Sequence, residues 1–218
     1  MLKFNGFDPL GKLIFDFSKG RKEAAVKVYS NLAKPDVIEG KYLFRSYEQM
    51  PLIEQRALNY CYGSILDVGS AAGVHLHCLK KKHTDIEAID ISPGAVAFLQ
   101  QQSFKIQQAD FFDFHTEKRF DTILMLMNGI GLCGKVENLG TFFLRIDQLL
   151  KPGGQLIFDS SDLQYIFQEA SDQLFENLSN VYYGEVVYTM EYSDQKTKPF
   201  DWLFIDPVTI QEWSEAFG

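Results

Sequence analysis

From residue 63 onward, short apolar runs alternate along the chain with stretches of helical periodicity. Five apolar runs of strand length predict β-strands, namely Ser64–Val68, Ile86–Ile91, Phe104–Gln107, Phe120–Met127 and Gln155–Phe158. The stretch Glu137–Leu150 places Phe142, Ile146 and Leu149 on one face, which predicts an amphipathic helix. Strands separated by helices at crossover length predict an α/β fold with a mostly parallel, twisted sheet and helices on both faces.

The N-terminal part of the chain lacks this alternation. Residues 1–62 show short helical patterns that are broken by Pro9, Pro35 and Pro51. They predict a helical extension or lid rather than a second independent core. The main domain is then expected to comprise residues 63–218.

Residues 184–218 no longer alternate strands with crossover helices. Gly184–Tyr192 alternates apolar and polar residues, and Trp202–Ile205 is a second short apolar run, so the two predict an antiparallel pair of strands. A helical pattern begins at Pro207 and ends at Gly218. The sequence stops where another strand would begin, which leaves open whether the natural chain continues beyond Gly218.

Composition and charge limit the classes of function. Of the 218 residues, 46% are hydrophobic and 23% are charged, which is typical of a globular protein. The net charge of -8 disfavours sequence-independent binding to nucleic acid, because the phosphates require a basic surface. A small molecule, neutral or cationic, is the partner that an acidic protein favours.

The cysteines and the apolar segments indicate the compartment. Cys61, Cys78 and Cys133 are odd in number and lack zinc-site spacing, so we expect neither a disulfide framework nor a metal. The N-terminus carries Asp8 and Asp16 within its apolar stretch, unlike a signal peptide. No apolar run approaches the ~20 residues of a membrane span. The expected location is the cytoplasm, without a membrane partner.

The stretch with the clearest chemistry is Asp67-Val68-Gly69-Ser70-Ala71-Ala72-Gly73, between a predicted strand and a predicted helix. Small residues there allow backbone N–H groups to approach a ligand, and the helix N-terminus attracts negative charge. Asp90 ends the next strand, where a carboxylate can accept hydrogen bonds from two ribose hydroxyls. Together these features predict an adenosine-like ligand at the carboxyl ends of the first strands.

The spacing of the small residues distinguishes between nucleotides. The nicotinamide pattern G-x-G-x-x-G would place Val74 at its third glycine, which fits poorly. The pattern acid-x-Gly-x-Gly-x-Gly fits Asp67, Gly69, Ala71 and Gly73 with one Gly→Ala change. A phosphate loop of the Walker type is excluded, because no Gly-Lys-Ser/Thr follows.

The loop resembles the glycine-rich motif of class I S-adenosylmethionine-dependent methyltransferases. Further stretches resemble the family in the right order: Ala109-Asp110-Phe111, DTILMLMNGIGLCG at 121–134 and LLKPGGQLIFD at 149–159. YLFRSYEQMP and the SSD after the fifth strand are similar to a bacterial subgroup named mostly only as methyltransferases. The resemblance covers residues 63–218 and implies a Rossmann-like methyltransferase fold in which the tail strands form an antiparallel edge hairpin.

The resemblance implies S-adenosylmethionine as the cofactor and S-adenosylhomocysteine as the product. Asp67 would orient the loop, and the backbone of the loop would approach the methionine moiety at Gly69, Ser70, Ala71 and Gly73. Asp90 would bind the ribose hydroxyls.

The other cofactor contacts implied by the resemblance lie after later strands and in the N-terminal segment. Ile91 would lie beside the adenine, Asp110 would accept the adenine amine, and Phe111 would line the same pocket. The methionine amine and methyl would lie near Met127 and Asn128. The N-terminal segment would contribute Arg45 or Tyr42 to the cofactor carboxylate. Helix capping, tight turns and surface exposure are the structural alternatives for these residues.

The acceptor side of the reaction has no diagnostic motif. His75, Asp159 and Asp162 are the candidates for a base, which is required only if the acceptor arrives protonated. Asn128-Gly129-Ile130-Gly131 stands where amino-directed DNA methyltransferases have Asn-Pro-Pro-Tyr, which argues against that acceptor class. The acidic net charge favours a small-molecule acceptor. The alternatives are a non-catalytic cofactor-binding module and a nicotinamide-dependent dehydrogenase.

Overall fold

The computed structural model describes residues 7–168 and 181–217. Its helices are α1 Pro9–Ser18, α2 Gly40–Leu43, α3 Leu52–Tyr60, α4 Val74–Leu79, α5 Pro93–Gln101, α6 Leu139–Leu149, α7 Gln164–Gln168 and α8 Pro207–Phe217. Its strands are β1 Ala25–Ser30, β2 Asp36–Glu39, β3 Ile65–Val68, β4 Ile86–Asp90, β5 Ile106–Gln108, β6 Phe120–Met125, β7 Leu150–Phe158, β8 Glu185–Tyr192, β9 Gln195–Lys196 and β10 Phe200–Leu203. Short 3-10 turns lie at Tyr47–Gln49, Gly129–Cys133 and Val136–Asn138.

The predicted parallel sheet is present. Its order is β5-β4-β3-β6-β7, and every neighbouring pair is parallel. All residues of β3 are buried because helices cover both of its faces. Leu66 packs on one side with Phe142 and Ile146 of α6. Ile65 packs on the other side in a cluster with residues of α3 and α4.

A second, antiparallel sheet lies beside the first and corrects the prediction for the N-terminal part. Its order is β10-β8-β1-β2, with β9 paired to β8. The predicted helical extension therefore contains two strands as well as helices. In β1, Val26 and Val28 are buried while Lys27 is exposed, and this alternation is the period of a strand.

The tail hairpin has the predicted antiparallel geometry but a different neighbour. β8 pairs with β10 on one side, in the register Tyr188 with Phe200. On its other side β8 pairs with β1 and not with the edge of the parallel sheet. Residues of β8 pack in one cluster with α1, so β8 and the N-terminal segment form one layer, while β10 contacts the turn at Gly129–Cys133.

Two local predictions near the end of the parallel sheet have different outcomes. The helix predicted to begin at Pro207 is present as α8, and the Phe217 ring stacks on the Phe143 ring of α6. The turn predicted over residues 151–154 is instead part of β7. Phe120 pairs with Leu150 and Thr122 pairs with Gln155, so β7 holds three extra residues at this register shift, where Gly153 has a φ of +77°.

No helix within residues 7–168 and 181–217 is both long and apolar enough to cross a membrane.

Candidate active site

The glycine-rich loop joins β3 to α4 with three residues in the left-handed region. Their φ angles are +78° at Gly69, +47° at Ala71 and +79° at Gly73. A Cβ at Gly73 would lie 2.4 Å from Cδ2 of Leu99, so α5 packs directly against this glycine. A Cβ at Gly69 would meet no atom within 4 Å. The loop therefore presents exposed backbone to open space at Gly69 and is packed tightly at Gly73.

Asp90 connects this loop to the end of β4. One carboxylate oxygen accepts a hydrogen bond from the Ala71 amide at 2.8 Å, and the other accepts one from the Ser92 amide at 2.8 Å. Burial raises the pKa of Asp90 to about 6, although the two backbone hydrogen bonds oppose the rise. Each oxygen retains the capacity to accept a second hydrogen bond.

Asp8 is a contact of this region that the sequence analysis missed. Its carboxylate caps α1 by accepting from the Gly11 amide at 2.7 Å. The same carboxylate accepts from the Ser92 hydroxyl at 2.7 Å and from the Gly94 amide at 2.8 Å, at the start of α5. Asp8 therefore ties α1 to the strand end that carries Asp90. Side chains of α1 share a cluster with Ala71 and Ala72.

Asp67, at the end of β3, is only 2% exposed. Its Oδ2 has no hydrogen-bond partner within the described residues, and burial raises its pKa. The Ser70 hydroxyl donates to the backbone carbonyl of Asp67 at 3.3 Å, which closes the loop on itself. A buried carboxylate oxygen without a donor is costly, so a ligand that donates a hydrogen bond to this atom would be stabilised there.

Arg45 is buried, contrary to the alternative of a surface residue. Its guanidinium donates to the Glu54 carboxylate and to the backbone carbonyl of Tyr42. The guanidinium carbon also lies 4.0 Å from the centre of the Tyr42 ring. Among the described residues, no acceptor faces the buried Nε–H of Arg45. Tyr42 itself is partly exposed, and burial of its hydroxyl raises its pKa.

Glu54 and His75 complete this charged group. The Glu54 carboxylate is 2% exposed and lies 2.9 Å from Nε2 of His75. Hydrogen bonds from His75 and Arg45 lower the pKa of Glu54 despite its burial. His75 also interacts electrostatically with Asp67 and Asp159. No motif in the sequence points to Glu54.

The residues predicted to lie beside the adenine occupy different environments in the structure. Asp110 follows β5 and accepts a hydrogen bond from the Phe112 amide at 2.9 Å. The Ala109 amide donates to the Asp90 carbonyl at 3.0 Å, so the two strand ends lie side by side. Ile91 is half-buried. The ring of Phe111 is buried against Phe142 in the core, so its side chain does not line an open pocket.

The loop after β6 is fixed by the loop after β7. Met127 and Asn128 both have positive φ angles, +60° and +58°. The backbone N–H of Asn128 donates to the Asp159 carboxylate at 2.8 Å. The side-chain oxygen of Asn128 accepts from the Ser160 hydroxyl at 3.1 Å. Burial raises the pKa of Asp159. Asp162 is exposed and accepts from the Tyr183 hydroxyl at 2.8 Å, apart from the charged group around Arg45.

Within the part of the chain that the structure describes, no group of three or more His, Cys, Asp or Glu residues is arranged to hold a metal ion.

Comparisons with known proteins agree with this geometry. A family model described as a methyltransferase domain matches residues 63–212. A SAM-dependent methyltransferase from Bacteroides fragilis, solved with S-adenosyl-L-homocysteine, is 40% identical with a TM-score of 0.88. The match covers 100% of this chain and 89% of that one. No curated relative matches the sequence significantly. The chain therefore belongs to the S-adenosylmethionine-dependent methyltransferases.

More distant structures share the fold alone. The sugar N-methyltransferase KedS8 from Streptoalloteichus is 17% identical with a TM-score of 0.57, and the match covers 100% of this chain and 87% of that one. CalS10, an amino pentose methyltransferase from Micromonospora echinaspora, is 16% identical with a TM-score of 0.54, over 80% and 84% of the two chains.

The family assignment decides several sequence-based predictions. The methyltransferase family, the Rossmann-like α/β fold class and S-adenosylmethionine as the cofactor are confirmed. The nicotinamide-dependent dehydrogenase is wrong, because the matched family is one of methyltransferases. The non-catalytic module is not adopted for the same reason.

Proposed function

We propose that this protein transfers a methyl group from S-adenosylmethionine to a small-molecule acceptor. The observation that carries the proposal is a pair of buried, unpartnered polar atoms of opposite kind. Asp67 offers an acceptor, Oδ2, and Arg45 offers a donor, Nε–H. Both belong to one charged group beside the glycine-rich loop, linked through Glu54 and His75. A ligand with an amino acid group carries the matching ammonium and carboxylate.

The described residues fit the rest of the cofactor as well. Asp90 would hold the ribose hydroxyls with the unused acceptor capacity of its carboxylate. Asp110, at the neighbouring strand end, would accept from the adenine amine. Gly69 leaves space for close approach to the backbone, and Tyr42 would cover the cofactor carboxylate beside Arg45. When bound, S-adenosylmethionine supplies a methyl group that its sulfonium already activates.

Asp159 is the residue that we assign to proton removal from the acceptor. It follows β7 at the carboxyl edge of the sheet, is half-buried, and has a raised pKa that makes it a better base. His75 is engaged by Glu54, and Asp162 is exposed and paired with Tyr183. The acceptor would lose its proton to a carboxylate oxygen of Asp159. Its lone pair would form the bond to the methyl carbon as the sulfur–methyl bond breaks, which would leave S-adenosylhomocysteine.

Calorimetric titration tests the cofactor site. Wild type should bind S-adenosylmethionine and S-adenosylhomocysteine and should not bind NAD. The variants Asp67→Asn and Arg45→Gln should bind about 10- to 100-fold more weakly, since hydrogen bonds to charged groups contribute ~1.5–3 kcal/mol. Arg56→Gln, an exposed arginine of α3, is the matched control and should change little. Equal affinity in all variants would contradict the assigned contacts.

Turnover with a labelled methyl group tests the acceptor class. Label should enter a small-molecule extract rather than RNA, DNA or protein fractions, and Asp159→Asn should slow transfer about 100-fold or more. Label in a nucleic-acid or protein fraction alone would overturn the small-molecule acceptor. Unchanged transfer by Asp159→Asn would overturn the assigned base.

A further inference from the structure

A buried glutamate lies on a helix whose apolar residues face solvent. In α3, Leu52 and Ile53 are 70% and 58% exposed, while Glu54 beside them is 2% exposed. The buried face of α3 also carries Ala57 and Leu58, and an apolar residue at position 54 would continue that face. Burial of a carboxylate is unfavourable unless other groups compensate its charge. Glu54 therefore needs compensating contacts at this buried position.

Those contacts join three separate parts of the chain through one carboxylate oxygen. Oε2 of Glu54 accepts from the Arg45 guanidinium and lies 2.9 Å from Nε2 of His75. Arg45 precedes α3, and His75 lies in the first turn of α4, two residues after Gly73. The segment around Arg45 also lines a 300 Å³ cavity together with Ala72 of the glycine-rich loop.

Two of the three guanidinium nitrogens of Arg45 donate hydrogen bonds within the protein, and the third is left to bind a ligand. One terminal nitrogen donates to Glu54 and the other to the Tyr42 carbonyl, while the Nε–H has no acceptor within the described residues. A planar guanidinium fixed at two nitrogens has a fixed direction at the third. Without Glu54, the guanidinium would lose its carboxylate partner and the restraint on its direction.

We propose that Glu54 is a positioning residue of the cofactor site, which holds Arg45 and His75 so that the Arg45 Nε–H faces the carboxylate of S-adenosylmethionine. This inference rests on the proposed function. Glu54 acts through Arg45 and does not itself touch the cofactor. The charges that face Glu54 and His75 are those of Arg45, Asp67 and Asp159.

The test is a double-variant cycle on S-adenosylhomocysteine affinity, measured by calorimetry on the full chain. Glu54→Gln keeps the side-chain shape but removes the charge, and it should weaken binding about 10- to 100-fold. Arg45→Gln should weaken binding by a similar factor. Because Glu54 acts through Arg45, the double variant should be no weaker than Arg45→Gln alone. Glu117→Gln, an exposed glutamate between β5 and β6, is the control.

A merely structural role for Glu54 gives a different pattern. Glu54→Gln would then lower the midpoint of thermal unfolding while the affinity of the folded protein stayed unchanged. Alternatively, the fold-losses of affinity caused by Glu54→Gln and by Arg45→Gln would multiply in the double variant. Either result overturns the inference. If Glu54→Gln does not fold, Glu54→Asp replaces it, since a carboxylate on a shorter side chain cannot keep both partners. It should then show the same non-additivity with Arg45→Gln.

The outcomes separate this inference from the proposed function. Absence of S-adenosylhomocysteine binding by wild type overturns both. Weakening by Arg45→Gln without weakening by a folded Glu54 variant overturns the positioning role alone. Weakening by Glu54→Gln without weakening by Arg45→Gln also overturns it, because the effect would then not pass through Arg45.

Discussion

Acidification is expected to stabilise the folded chain through Asp90. Burial raises the pKa of this carboxyl from an ordinary 3.8 to about 6. Between these two pH values the folded chain keeps the proton and the unfolded chain releases it. The free energy of unfolding therefore falls as the pH rises, by ~1.4 kcal/mol per pH unit and roughly 3 kcal/mol in total. The stabilisation is complete below the ordinary pKa and is lost once the pH passes about 6.

Urea unfolding from ~pH 4 to ~pH 7.5 measures this effect when wild type is compared with Asp90→Asn. Asparagine keeps the side-chain shape but does not titrate, so the difference between the two proteins isolates Asp90. Asp67 and Asp159, whose pKa values are also raised, titrate in both proteins. Asp121, with a pKa of about 2, stays ionised throughout. A difference that is flat, or that rises with pH below 6, would refute the reasoning from burial.

The cofactor provides a second readout of the same group. Ribose hydroxyls donate to the ionised carboxylate, so binding is expected to favour the charged form of Asp90. The affinity for S-adenosylhomocysteine should then fall below pH 6, approaching tenfold per pH unit. Calorimetry across the same pH range checks this, with Asp90→Asn as the reference that should lose the dependence. A pH-independent affinity of wild type would remove Asp90 from the ribose contact.

Three further predictions concern packing and thiol reactivity. Gly131→Ala should destabilise the fold by roughly 1–3 kcal/mol in urea unfolding, because the new Cβ would lie 2.1 Å from Nε1 of Trp202. Phe142→Ala should destabilise it by roughly 3–5 kcal/mol, because its ring is fully buried; a loss below ~1 kcal/mol in either case would contradict tight packing. Burial raises the pKa of Cys61 to about 12 and that of Cys133 higher still. Iodoacetamide near pH 8 should therefore leave both thiols unmodified by mass spectrometry until the protein is denatured, and modification of the native protein would contradict their burial.

The parallel sheet could be predicted from the sequence because its strands are covered on both faces. Every residue of β3 is buried, so the strand is visible as a short apolar run in which Asp67 is the one polar residue. The turn that follows requires small residues and positive φ angles, which makes Gly69 and Gly73 visible as well. The carboxyl ends of parallel strands meet at one edge, so Asp67 and Asp90 could be assigned to one site.

The second sheet could not be predicted in the same way. β1 is a short strand with one buried face, and its partner β8 lies far along the chain, so local periodicity carries little information about the pairing. Glu54 was missed for a related reason. It lies on the same face of α3 as the buried Ala57 and Leu58, where helical periodicity favours an apolar residue. Only the positions of Arg45 and His75 in space explain a carboxylate there.

The pairing of β1 with β8 has a consequence for synthesis of the protein on the ribosome. Asn31, which follows β1, accepts a hydrogen bond from the Val187 amide, 156 residues later in the sequence. At ~5–20 residues per second, roughly 8 to 30 seconds of translation separate the two segments. During this interval the nascent β1–β2 hairpin presents an open edge to other chains, while the parallel sheet is completed before β8 emerges. The layer over the cofactor loop is therefore assembled last, and a ribosome that stalls before residue 185 leaves an aggregation-prone edge uncovered.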